Sequence, residues 1–175
     1  MNFKEQLADS SMIIGEMVAA SVGCNAGYYS EILDLVLNEP MPMSSRAGRV
    51  LNICTSNCTG IFKPHVPKVI NHIRKRGNIH RCILKILADQ YFDLTTSQEG
   101  VLVDACFNWL ADERQAVAIK AYSMDILERF AMKEPEIIPE LTGLLEDASR
   151  RGSSGIRNKA SKMMKRLSAL RFNDA

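Results

Sequence analysis

Four stretches of this chain, YYSEILDLVL, HVPKVINHI, QEGVLVDAC and IIPELTGLL, carry one apolar pattern at nearly regular intervals. Aligning Ser30, Pro67, Gly100 and Pro139 puts Ile32, Val69, Leu102 and Leu141 two places on, and Val36, Ile73, Cys106 and Leu145 six places on. The aligned positions are 37, 33 and 39 residues apart. A unit of that length holds about two helices and cannot bury both of its faces alone, so it must stack on its neighbours. No other feature of the sequence narrows the fold as far.

The segments between these stretches agree. Ala47, Val50, Leu51, Cys54, Cys58 and Ile61 form one helical stripe, and Ile156, Ala160, Met163, Met164, Leu167 and Leu170 form another. Runs containing glycine, proline or capping residues separate the stripes, among them NEPMPMSS, RKRGN, ADERQ and RRGSSG. Alternating strand patterns with hairpin turns are not found. The spacing predicts nine helices, near 2–21, 28–37, 44–61, 65–75, 79–92, 98–110, 115–132, 136–150 and 155–170. One domain, 1–175, would then hold an N-terminal capping helix (1–27) and pairs near 28–61, 64–92, 98–132 and 135–170. Helix 115–132 is apolar almost all round, which suits a position with neighbours on both sides.

The pairs resemble HEAT or armadillo-type repeats. Pro67 and Pro139 match the proline common early in the first helix of a HEAT repeat, and Lys120 and Arg157 lie near the basic position common early in the second. The resemblance spans residues 28–170. It implies an all-α protein, a right-handed α-solenoid (an armadillo-like superhelix) of about four HEAT-like pairs plus the N-terminal helix. It also implies a non-catalytic scaffold that binds a protein or peptide partner on the surface lined by the second helices.

The formal charge of +2 conceals blocks of opposite sign. Residues 63–85 hold seven basic side chains and no acidic one, and residues 148–175 hold eight and one. Residues 86–147, between them, hold four basic and thirteen acidic side chains. Arg81 and Lys85 on one predicted helix, and Lys159, Lys162 and Arg166 on the last, make a candidate basic binding face. Such a face suits nucleic-acid phosphates or an acidic partner, and nucleic-acid binding is the alternative function. The HEAT-like alkylpurine DNA glycosylases are the enzymatic form of that alternative, with Trp109 and Asp104 as the residues that invite comparison. The acid-rich middle would oppose a duplex, so protein binding is the main expectation.

Charges interrupt every apolar run well short of a membrane span, so no membrane association is expected. Five cysteines, an odd number mostly on apolar stripes, are expected to be reduced, buried thiols of a cytoplasmic protein. Cys54 and Cys58, four residues apart, and His65, His72 and His80 lack the companions a metal site needs, so neither metal nor cofactor is expected. One stretch does echo an enzyme. Gly152, Ser153, Ser154 and Lys159 resemble the mobile loop of the fumarase and adenylosuccinate lyase superfamily, which bears a catalytic serine and a substrate-binding lysine. Ile156, Arg157 and Ser161 depart from that loop's pattern. Those lyases are far longer chains, and RRGSSG is expected to be a turn between two helices, with Gly152 closing one and Ser153 or Ser154 opening the next.

Overall fold

The computed structural model describes residues 2–9 and 11–173, and side chains as far as residue 169. The side chain of Leu170, expected on the last apolar stripe, lies outside the described set. Among the described residues all regular structure is helical. In chain order the α-helices are α1 (Phe3–Gln6), α2 (Met12–Val22), α3 (Ala26–Asn38), α4 (Met43–Asn57), α5 (Val66–Arg76), α6 (Arg81–Asp89), α7 (Thr96–Ala111), α8 (Val117–Lys133), α9 (Ile138–Arg151) and α10 (Ser154–Asn173). They fall into two compact units, Met1–Asp93 and Leu94–Ala175.

The aligned first helices begin in two ways, and proline decides which. Helices α3 and α7 start under side-chain caps: the Asn25 Oδ1 accepts from the Tyr28 N–H, and Thr95 and Gln98 form a reciprocal capping box. Helices α5 and α9 instead follow single 3-10 turns, Lys63–His65 and Pro135–Ile137. Pro67 and Pro139 have no N–H to give the carbonyl four residues back, so the α-helical ladder cannot extend over those three residues, which wind more tightly. Beyond the starts the registers coincide: Ile32, Val69, Leu102 and Leu141 are all buried, as are Val36, Ile73, Cys106 and Leu145.

In the first unit α4 is the central element. It pairs with α3 and lies between α2 and α6. Helix α5 stands beside α3, with the Lys68 ammonium 2.6 Å from Asp34 and the His65 ring stacked at 5.4 Å on Tyr29. Tyr29 is completely buried, and its hydroxyl meets the Thr55 hydroxyl of α4 at 2.6 Å. In the second unit α7 pairs with α8 and α9 with α10, while α10 also packs on α8. The fully buried Ser123 hydroxyl of α8 has no nitrogen or oxygen partner and faces the Cys106 thiol of α7.

The single N-terminal helix expected over 2–21 is two. Asp9 accepts from the Ser11 N–H at 2.7 Å, and Ser11 caps α2 by accepting from the Ile14 N–H at 3.1 Å. These short polar side chains stop one helix and start another. Phe3 and Leu7 bury the short α1, and the Arg46 guanidinium reaches back from α4 to the carbonyls of Leu7, at 3.0 Å, and Ala8.

A second correction concerns the cysteines. Cys24 and Cys58 form a disulfide, while Cys54, Cys82 and Cys106 are free and buried. Cys24 follows the end of α2 by two residues and Cys58 directly follows α4. They therefore hold nearly equivalent places at the ends of adjacent helices, with Cα atoms 5.6 Å apart. The bridge removes the free-thiol argument for a reducing compartment. No described helix is long and apolar enough to cross a membrane.

Two predictions follow from the packing. A Cβ on Gly48 would sit 2.8 Å from the Cys82 sulfur and 3.0 Å from the His80 ring, whereas Gly100 and Gly143 face open space. Gly48→Ala should therefore destabilise by about 1–3 kcal/mol, overriding its gain in helix propensity. Gly100→Ala and Gly143→Ala should stabilise by about 0.5–1 kcal/mol each. Urea unfolding checks the opposite signs, and Cys82→Ala should rescue Gly48→Ala. The disulfide spans 34 residues, so Cys58→Ser should lower stability by about 3–4 kcal/mol through the denatured-state entropy it releases. An unchanged urea midpoint after reduction would contradict the bridge.

Candidate functional site

The sides of α4 and α6 that face each other do not close completely. A cleft of about 220 Å³ remains, lined by Asn52, Ile53, Thr55 and Ser56 of α4 and by Lys85, Ile86, Asp89 and Gln90 at α6. Each helix contributes residues at i, i+1 and i+4, which is the spacing of one exposed edge. Gly48 lets the two helices meet closely at the head of the cleft, beside His80 and Cys82. Farther along, longer side chains hold them apart. The floor is apolar, from Ile53 and the buried Ile86, and the rim is polar. The Thr55 hydroxyl already donates to the Leu51 carbonyl at 2.8 Å and meets Tyr29, so it is committed to the scaffold. Lys85 and Asp89 pair along α6.

His80 sits at the head of α6 and caps it, its Nδ1 accepting from the Cys82 N–H at 3.3 Å. Its Nε2 meets the Ser45 hydroxyl of α4 at 3.3 Å. Burial lowers the proton affinity of the imidazole, and the neighbouring Arg81 lowers it further. A neutral ring is what the cap requires, because only an unprotonated Nδ1 can accept. His65 is lowered by burial and then by Lys68, and His72 by burial against an opposing hydrogen bond with Asn78.

The five cations expected to form one binding face have different surroundings. Arg81 and Lys85 lie one turn apart on α6, and Lys85 is on the cleft rim. Lys159 and Arg166 are bound to α8: Lys159 meets Asp125 at 2.5 Å, and Arg166 holds both Glu128 oxygens, at 2.5 and 2.9 Å. Lys162 between them is exposed. The stretch expected as a turn, Gly152–Ser153, does join α9 to α10. Gly152 is not left-handed: its φ is −71°, and glycine is needed because a Cβ would lie 2.5 Å from the Ala148 carbonyl oxygen and 2.6 Å from Ile156. Lys159, the residue matching the lyase lysine, is the one held by Asp125.

The remaining sequence candidates serve the core. Trp109 is buried on α7, and Asp104, five residues before it on the same helix, is exposed. Burial pushes the Cys54 thiol up to about 11 and the Cys82 and Cys106 thiols up to about 12, so all three stay protonated at neutral pH. Among the described residues no group of three or more histidine, cysteine or acidic side chains is arranged to hold a metal. The sequence reading missed the cleft itself. Its only trace is the polar pair Asn52 and Ser56 beside an otherwise apolar stripe.

The histidines make a pH prediction. All three have folded-state proton affinities below the ordinary 6.5. The unfolded chain therefore binds their protons first as pH falls. Their contribution is complete above about pH 6.5 and is lost as pH falls through the folded-state values. The urea midpoint should be level between about pH 7 and 8 and fall below about 6.5, before the carboxylates titrate. His80→Asn should flatten part of that fall, and a midpoint rising on acidification to pH 5.5 would contradict the assignment.

Comparison with known proteins agrees with the geometry. No curated protein and no solved structure matches the chain. A family model described as a HEAT repeat domain matches residues 4–167. Its span takes in the chain from α1 to most of α10, in an all-helical architecture of the α-solenoid type. The chain belongs to the HEAT repeat domain family.

Proposed function

We propose that the protein is a non-catalytic scaffold that binds a segment of another protein along its second helices, with the α4–α6 cleft as the anchoring point. The cleft carries the reading. Its 220 Å³ is below the roughly 300–1,000 Å³ of sites that enclose a small molecule or cofactor, and suits one or two side chains of a bound chain. An apolar floor inside an amide, hydroxyl and charged rim offers a place for an aliphatic anchor and hydrogen bonds to its backbone. Membership of a repeat family supports a scaffold of this kind, since stacked repeats expose long surfaces for partners. Of the five expected cations, we assign Arg81 and Lys85 to binding, and Lys159 and Arg166 to holding α10 on α8. Lys162 is a solvated residue of the last helix.

The experiment places a photo-crosslinking amino acid at Ser56, on the cleft rim, and in a second protein at Glu140, exposed on the first helix α9. Irradiation in native lysate, with and without nuclease, should give a discrete protein adduct from Ser56 that survives nuclease, and none from Glu140. Adducts from Glu140 alone, or adducts that nuclease abolishes, would defeat the proposal and in the second case favour nucleic acid.

A further inference from the structure

Residues 63–85 hold seven cations and no carboxylate, and the structure divides them. Lys63 pairs with Asp93 at 2.8 Å, Lys68 with Asp34 at 2.6 Å, and Lys85 with Asp89. Every one of those carboxylates comes from outside the block. The other four cations, Arg74, Lys75, Arg76 and Arg81, flank the turn Gly77–His80, on the last turn of α5 and the first residue of α6. Lys75, Arg76 and Arg81 are exposed, and none forms an ion pair among the described residues. No acidic residue occurs between positions 63 and 88 to compensate them locally.

Helix stability accounts for some of these charges and not for others. The three on the end of α5 face the negative end of the helix dipole, which favours cations. Arg81 stands at the opposite kind of position, the first residue of α6, where the dipole and the unpaired N–H groups oppose a cation. It also disfavours protonation of the His80 that caps the helix. What it gives the fold is indirect, since it helps keep the His80 ring in the neutral form that the cap requires. On α10 the exposed cations Arg157, Lys162 and Lys165, in no ion pair among the described residues, stand among Lys159 and Arg166, whose partners Asp125 and Glu128 place negative charge beside them.

We propose that the α5–α6 turn is the docking surface for an acidic segment of a partner protein, with Arg76 and Arg81 taking its carboxylates from the two sides of the turn and Lys75 adding a third contact. This deepens the scaffold reading and rests on it. Arg81, Lys85 and Asp89 follow one another at four-residue intervals along α6, so the basic turn leads onto the rim of the cleft. Arginine's planar fork takes a carboxylate with two parallel hydrogen bonds, which suits glutamate or aspartate side chains. A nucleic-acid duplex fits less well, because specific duplex binders neutralise roughly six to ten phosphates and this turn offers about half as many cations.

The test is fluorescence anisotropy with a labelled ten-glutamate peptide and, in parallel, a labelled 20-base-pair DNA duplex. Three proteins are compared: wild type, the turn variant Lys75→Ala/Arg76→Ala/Arg81→Ala, and an α10 variant Arg157→Ala/Lys162→Ala/Lys165→Ala. Both variants lose three charges from exposed positions, so bulk electrostatics change equally, and circular dichroism confirms that each is folded. Wild type should bind the peptide with an affinity that falls as salt rises, the turn variant about tenfold or more weaker, and the α10 variant within about threefold of wild type. Absence of peptide binding, or equal weakening in both variants, overturns the proposal. So does a duplex bound more tightly than the peptide and lost in the turn variant, which assigns the surface to nucleic acid. An adduct at Ser56 without peptide binding defeats only the acidic identity of the partner. Peptide binding without that adduct defeats the cleft and leaves the turn standing.

Discussion

A helix pair of this length exposes more apolar surface than its own two helices can cover, and the structure depends on how α4 meets that constraint. Its buried residues Ala47, Val50, Leu51, Cys54 and Thr55 form one broad face that takes up less than half of its circumference. Each aliphatic side chain removed from water contributes about 1.5–3 kcal/mol, but only if neighbours cover that face. Those neighbours are α2, α3 and α6. Close approach of three helices to one face demands small residues, which is why Gly48 faces α6 where a single methyl group would collide. The same demand accounts for a cleft. Where Gly48 gives way to Asn52 and Ser56, the helices can no longer touch, and a polar-rimmed gap opens between them.

Stacking also sets a rule for polar contacts. A residue facing the next repeat meets a residue about one repeat away in sequence. Lys68 and Asp34 are 34 apart, as are Lys159 and Asp125, and the two bridged cysteines. Arg166 and Glu128 are 38 apart, and Ser45 and His80 are 35 apart. Most of the ion pairs are exposed and individually contribute little. Their consistent spacing matters more than their strength, because each one fixes the register of one helix on the next.

The architecture was legible because it rests on apolar periodicity, which the sequence displays at Ile32, Val69, Leu102 and Leu141 without any need for contacts. Helix starts were less legible. The break between α1 and α2 depends on which way Asp9 and Ser11 turn, and the tight turns ahead of α5 and α9 depend on an N–H that Pro67 and Pro139 lack. The disulfide was misread because the cysteines were judged mostly by apolar helix faces, whereas the pairing of Cys24 with Cys58 comes from equivalent places in successive repeats. What stands opposite the basic stripe on α10 was hidden for the same reason. Periodicity put Lys159, Lys162 and Arg166 on one stripe, but only the one-repeat spacing shows that Asp125 and Glu128 stand opposite two of them.

That spacing also separates structural charges from available ones. The contact between Ser45 and His80 fixes Arg46 and Arg81 as corresponding positions in adjacent second helices. Arg46 reaches one repeat back and finds two carbonyl oxygens, those of Leu7 and Ala8, left open where α1 ends. Arg81 has the same place in the next repeat, where residues 39–42 join α3 to α4. Its guanidinium is exposed and in no ion pair among the described residues, against the dipole of its own helix. A cation that the stack uses in one repeat and leaves unused in the next is more informative about partners than the formal charge of either block.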